Sequence, residues 1–379
     1  MKSFFFPMIR QKGMTIVELM VAVLIASLSI YAVYQVYEGT ERAKRTVASV
    51  GDAQVSGLYA IHLIESTIRS AGVGMMRDSG QRLAGCIAGS MGGVTSPAGL
   101  TLRPLPVVID GVRTPDDNFD DIFVFSGAPT LRAFPVQVAA VAGPVVTVAG
   151  TPLGFRSGDV LIEVTDSGCQ AYIIQNAGAD AQGRISADVA GQTTVTLDRA
   201  GPAVNSWLID IGTPKRARFY VDPDTNTLLM EDWVLGAGGL WIINRRDPIV
   251  SGVMSFRAQY GIGPNTGDVG AGGRRTIGEV NEWRFADAPW TPAVFDTTPL
   301  DIDNTVRRIR AIRLSIIVRS DEQDINLAGG GAVQFVPFAD CSGPAATTCS
   351  PVGPPLSFSA GWRYRMYETV IPLKNVILN

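Results

Sequence analysis

Histidine is all but missing from this 379-residue sequence: His62 is the only one. A single imidazole with no Cys or carboxylate at ligand spacing does not make a metal site, so His62 is read as an ordinary helix-face residue. Cysteine is scarce too, at positions 86, 169, 341 and 349, and no two of these form a CxxC pair, which argues against a zinc ribbon or a dithiol redox centre. The formal net charge is only -3, so there is no global basic field and nucleic-acid binding through a charged surface is not expected. No Gly-x-Ser-x-Gly leads from a strand into a helix, no nucleophile stands beside a base in a recognisable frame, and no fixed-period repeat occurs. These gaps predict a protein that is not an enzyme and carries no cofactor.

What the chain does have is apolar sequence, 46% of it, and many turn-formers, with 41 Gly and 23 Pro falling almost wholly after Ser70. The longest apolar stretch runs from Met14 to Val36. As a helix it spans roughly 35 Å, enough for a hydrocarbon core of about 30 Å. Lys2, Arg10 and Lys12 precede it with no acid among them, which places the N-terminus in the cytoplasm and the bulk of the chain outside. A secretory signal peptide would have a shorter apolar core ending in a small-residue cleavage site. Glu18 interrupts the stretch, and an acid at mid-membrane costs roughly 2.5–3.5 kcal/mol, so it needs a partner. A cut after Gly13 would supply one, because the new α-amino group of Met14 would lie four residues before Glu18 at the same depth.

Beyond Val36 the pattern becomes amphipathic, with Val47, Val50, Leu58, Ile61, Ile64 and Ile68 expected on one buried face. One helix from about Thr15 to Ser70 is predicted, ended by Gly72 and Gly74. Strand-like runs follow at 121–125, 136–141, 145–148, 160–164, 172–174, 193–197, 217–221, 227–233, 253–261, 310–319 and 364–373. A long helix before antiparallel sheet is an α+β arrangement. Residues 264–273 and 340–355 read as mobile loops. The expected division is a leader over 1–13, a membrane half of the helix over 14–36, an amphipathic half over 37–72 and a β-rich periplasmic or extracellular domain over 73–379.

Few constellations suggest chemistry. Asp222, Asp224 and Asn226 repeat the first half of a calcium loop, but Thr227 stands where the sharp turn needs Gly and Trp233 where the bidentate Glu belongs, so a hairpin turn is favoured. Thr114 to Asp121 gathers four aspartates and reads as a solvated acidic loop. Arg307, Arg308, Arg310 and Arg313 read as the charged side of a solvated or interfacial strand. Outside the cytoplasm the four cysteines are expected to form two disulfides in one of three pairings. Cys86 with Cys169 and Cys341 with Cys349 is the expected set, since the second closes a short loop rich in Pro, Gly and Ser.

The segment Lys12-Gly13-Met14-Thr15-Ile16-Val17-Glu18-Leu19-Met20 resembles the class III signal of type IV pilins and type II secretion pseudopilins. That resemblance implies a prepilin peptidase cut after Gly13, N-methylation of Met14, and Glu18 as the acid that guides docking into the filament. Met14 departs from the commonest Phe. Within the family the chain resembles the large PilW minor pilins at Ala71-Gly72, Gly85-Cys86, Gly158 to Ile162, Cys169-Gln170-Ala171, Ser251-Gly252-Val253, Phe256 to Gly261, Ile309 to Ser320 and Arg363 to Asn375. The resemblance implies a pilin-like fold and a role in initiating or capping a pilus, in support of twitching and adhesion. The implied partners are other minor pilins, the major pilin, the peptidase and the inner-membrane assembly platform. A secretion pseudopilin, or an adhesin or enzyme using the signal for export, are the competing readings.

Overall fold

A helix from Ile16 to Arg69 opens the fold, as the periodicity predicts. The computed structural model describes residues 13–73, 94–95, 101–102, 105–111, 118–128, 135–149, 155–165, 168–175, 192–235, 241–264, 279–287, 289–295, 306–324, 327, 329–338 and 355–377. The chain divides into two compact units, 1–52 and 53–379. In the first, every large apolar side chain from Met14 to Tyr37 is solvent-exposed, and i to i+3 and i+4 ion pairs begin at Glu38 with Arg42 and Glu41 with Lys44. Val47 is exposed rather than buried.

The second unit takes in the last turns of the helix, where Gly57, Ala60, Ile64 and Ile68 are buried and Leu58 is not. The expected stripe is therefore right at Ile64 and Ile68 but shifted onto small residues higher up. The reason is close approach: the Tyr367 ring lies against Gly57, and a Cβ there would run into it. In an open helix Gly to Ala stabilises by about 1 kcal/mol. Here Gly57→Ala is expected to destabilise, with a lower denaturation midpoint; a raised midpoint would show that the ring simply moves aside. Asn375, near the other end of the chain, caps this helix by donating from Nδ2 to the carbonyls of Arg69 at 3.3 Å and Ala71 at 3.0 Å. Gly72, at φ 74°, ends it as expected.

Among the described residues three larger antiparallel sheets follow, beside two two-stranded pairs, 94–95 with 101–102 and 333–335 with 356–358. A five-stranded sheet has the order 241–250, 227–235, 215–222, 121–126, 107–110. Strand residues alternate faces, so Ala217, Phe219 and Val221 join Ile64 and Ile68 in the main core while Arg216, Arg218 and Tyr220 face the other way. A four-stranded sheet, ordered 282–284, 253–262, 309–319, 364–372, shares that core. The two are joined where Phe119 bridges Phe256 and the Asp120 amide donates to the Phe256 carbonyl at 2.7 Å.

The third system lies between strands 121–126 and 215–222, which are themselves paired neighbours. Its six strands, ordered 168–173, 160–165, 207–212, 136–142, 145–149, 192–196, are closed by the Ile174–Leu197 bridge into a small barrel around Val138, Val148, Phe155, Leu161 and Leu208. Closure removes the exposed edges an open sheet would have.

Every strand-like run of the sequence overlaps a strand, with three of them (172–174, 193–197 and 364–373) reaching one residue past its end. Unforeseen were 107–110, 207–212, 241–250 and the short strands at 94–95, 101–102, 282–284, 333–335 and 356–358. The strand 241–250 is a sheet edge, where Arg245, Arg246, Asp247 and Pro248 are tolerated because one side has no neighbour to bond. Arg308, Arg310 and Arg313 do not line a solvated strand: 309–319 is an inner strand, and Arg313 is buried between the Phe338 and Trp283 rings with Glu368 at 3.4 Å. Arg308 donates to the Gly263 carbonyl at 3.1 Å. The two expected loops fall almost wholly outside the described residues, as does the side chain of Arg307.

Candidate processing and docking site at the N-terminus

Gly13, Met14 and Thr15 precede the helix and are exposed, and nothing lies within 4 Å of where a Gly13 Cβ would be. A peptidase needs a peptide bond outside regular hydrogen bonding, and the Gly13–Met14 bond is one. Thr15 then caps the helix. Its hydroxyl accepts from the Glu18 amide at 3.3 Å, while Glu18 Oε2 accepts from the Thr15 amide at 3.2 Å and the Thr15 hydroxyl at 3.3 Å. This reciprocal arrangement is a capping box, with the acid favoured by the positive end of the helix dipole. The sequence gives Glu18 a partner only after a cut, in the Met14 amine; the structure adds Thr15, present before any cut, for which Thr-x-x-Glu is the sequence signal. The carboxylate thus turns back toward Met14.

Above it the helix is fit for lipid. Ser27 and Ser29 return their hydroxyl protons to the carbonyls of Leu24 at 2.9 Å and Ile25 at 2.8 Å, so neither carries an unused donor outward. Tyr31, Tyr34 and Tyr37 recur at three-residue spacing near the end of the apolar stretch, where amphipathic rings suit a membrane interface. The helix is long and apolar enough to cross a membrane.

The other sequence candidates are not gathered here. Cys86, Cys341 and Cys349 lie outside the described residues, as does the side chain of Cys169, whose backbone pairs with Val164. Asp222, Asp224 and Asn226 form the turn of a hairpin whose last pair is Asp222 with Thr227. The Asp222 carboxylate is used within the turn, accepting from the Asp224 amide at 3.1 Å and the Thr225 hydroxyl at 2.9 Å, and Asn226 takes φ 50°. His62 is exposed on its helix.

The acidic loop is a correction. Asp116 and Asp117 fall outside the described residues, but Asp120 and Asp121 are buried. Asp120 accepts the Ala258 amide at 2.8 Å and lies 4.0 Å from Arg257. Burial, outweighing Arg257 and that amide, pushes its carboxyl up from 3.8 to about 6, with Asp121 and Asp110 adding to the rise. A raised carboxyl favours the folded state most below the unfolded value and loses that contribution as pH climbs through about 6. The loss is about 2–3 kcal/mol. Asp120→Asn should therefore equal or exceed the parent in stability at pH 7, and the parent should overtake it between pH 6 and 4. Denaturation midpoints of the two proteins across that range check this; a constant difference would place Asp120 outside the titration.

Against protein families, residues 8–34 match the prokaryotic N-terminal methylation motif and residues 218–375 match type IV pilus-assembly protein W. No curated protein matches. Among solved structures there is a match to the type IV-like pilin TTHA1219 from Thermus thermophilus, at 16% identity over 58% of this chain and 86% of that one, with a TM-score of 0.24. The chain is thus similar to the N-terminal methylation motif across the exposed Gly13–Met14 bond and the capped Glu18, and to type IV pilus-assembly protein W over residues 218–375, which take in most of the five-stranded and four-stranded sheets.

Proposed function

We propose that this chain is a non-enzymatic subunit that helps to initiate a type IV pilus and is incorporated into it, in support of twitching and adhesion. It is made as an inner-membrane protein with its N-terminus in the cytoplasm, cut after Gly13, methylated on Met14, and then moved into the filament beside other minor pilins and the major pilin. The observation that carries the reading is the juxtaposition at the helix start: an accessible Gly13–Met14 bond next to a carboxylate already folded back onto the Thr15 amide. Cleavage would place an ammonium one residue from that amide. Glu18 would then keep its cap and gain a charge partner, in its own chain or a neighbour's, where low dielectric makes the pairing strong.

The cysteines fit an oxidising compartment, and the pairs Cys86–Cys169 and Cys341–Cys349 remain our assignment. The test of the whole reading is the mass of the N-terminal peptide from purified membranes. It should begin at Met14 and carry one added methyl. A peptide beginning at Met1, or one cut after the apolar stretch, would overturn it.

A further inference from the structure

The last turns of the long helix and the five-stranded sheet enclose a pocket of about 370 Å³, within the size range of small-molecule sites. Its floor is two cross-strand rows of the sheet: Ser126, Lys215 and Val234 in one, Val124, Ala217 and Asp232 in the next. The helix supplies Ser66, Thr67 and Ser70, and the edge strand supplies Asn244.

The polar groups sort by what they have left to offer. Ser66 and Thr67 give their hydroxyl protons to the Leu63 carbonyl, and Ser70 gives its proton to that of Thr67, so toward the pocket all three can only accept. Asp232 is an acceptor as well, held by Arg245 at 3.3 Å. Lys215, Ser126 and Asn244 make no side-chain hydrogen bond or ion pair among the described residues, and each has protons to donate. Three unspent donors, one of them an ammonium, suit a carboxylate. The acceptors suit an N–H. Val124, Ala217, Met230 and Val234 form an apolar surface between them that suits an aliphatic side chain.

We propose that this pocket binds a single aliphatic amino-acid residue by its carboxylate, its α-nitrogen and its side chain, supplied either as the C-terminal residue of another chain or as a free amino acid. The inference does not depend on the pilin assignment, because binding is read on the purified protein whatever its N-terminus.

Met230 provides the reporter. The full-length protein in detergent, labelled with ¹³C-methyl methionine and with the Met230 signal assigned through Met230→Leu, is titrated separately with N-acetyl-L-leucine, L-leucine and N-acetyl-L-leucinamide. A saturable shift of the Met230 methyl is expected with a carboxylate ligand and not with the amide. Lys215→Met should weaken that binding by about tenfold or more without moving the melting temperature, and Asn244→Leu, on an exposed edge, should weaken it as well. Tighter binding of the acetylated acid assigns the site to a chain terminus, and tighter binding of free leucine to the amino acid. The proposal fails if the amide binds as well as the acids, if Lys215→Met binds like the parent, or if no probe shifts Met230 at ~10 mM.

Discussion

Glu18→Ala is expected to accumulate in the inner membrane at a normal or raised level and to be strongly depleted from sheared pili, with piliation or twitching reduced to match. Removing an acid from a membrane segment lifts an insertion penalty of roughly 2.5–3.5 kcal/mol, so loss of the protein from the membrane is not the expected defect. Two interactions go with the side chain: the capping bonds to Thr15 and the proposed pairing with the Met14 ammonium. They can be separated. Glu18→Gln keeps an oxygen able to accept from the Thr15 amide but carries no charge, and Glu18→Asp keeps the charge with a shorter reach. If the cap is the whole role, Gln should behave like the parent, and the alanine defect should be about 1 kcal/mol of helix stability. If charge pairing is the role, Gln should be depleted like Ala and Asp should be milder. Normal recovery of Glu18→Ala in sheared pili would end the docking assignment while leaving the processing site intact.

The largest stability effect is expected at Arg218. Its Nε and Nη2 donate to Asp121 Oδ2 at 3.1 and 2.5 Å, and its Nη1 donates to Glu231 Oε2 at 3.3 Å. Tyr220 and Arg246 hold the other oxygen of Glu231, at 3.2 and 2.8 Å. Side-chain exposures are 6% for Arg218, 8% for Asp121 and 1% for Glu231, so water cannot replace a missing partner. Such a pair adds little to net stability over an apolar substitute of the same shape, yet removing one member strands a buried charge. Arg218→Met should therefore cost about 3–5 kcal/mol in chemical denaturation. Arg245→Ala, which removes pairs with Asp232 and Asp247 from an arginine that is 62% exposed, should cost no more than about 1 kcal/mol. Equal effects of the two substitutions would mean that the Arg218 network is open to solvent.

Local relations were legible in the residues alone. The helix over Ile16–Arg69 follows from its own periodicity, and the hairpin at Asp222–Thr227 from turn chemistry. Glu18 bonds only three residues away, which is why a sequence signature for that cap exists. Gly13, Met14 and Glu18 needed no tertiary contact to be singled out, since the proposed cut and membrane insertion would act on the segment itself.

What only the tertiary structure decided depends on partners far along the chain. Asp121 reads as the end of an acidic loop until Arg218 arrives from 97 residues away and makes it a buried ion. Asp120 is buried because it must reach the Ala258 amide, 138 residues on, to join two sheets. Gly57 looks like a flaw in a helix until Tyr367 packs against it, and Asn375 becomes a helix cap across 304 residues. The strand 241–250 carries polar residues through most of its length because it lies at an edge, and being an edge is a property of the assembled sheet. Spacing and propensity act within a turn or two of chain, so they identified this protein's helix, most of its strands and the segment proposed for processing. Which charges are buried, and what they are buried against, was settled only when segments hundreds of residues apart closed on one another and excluded water.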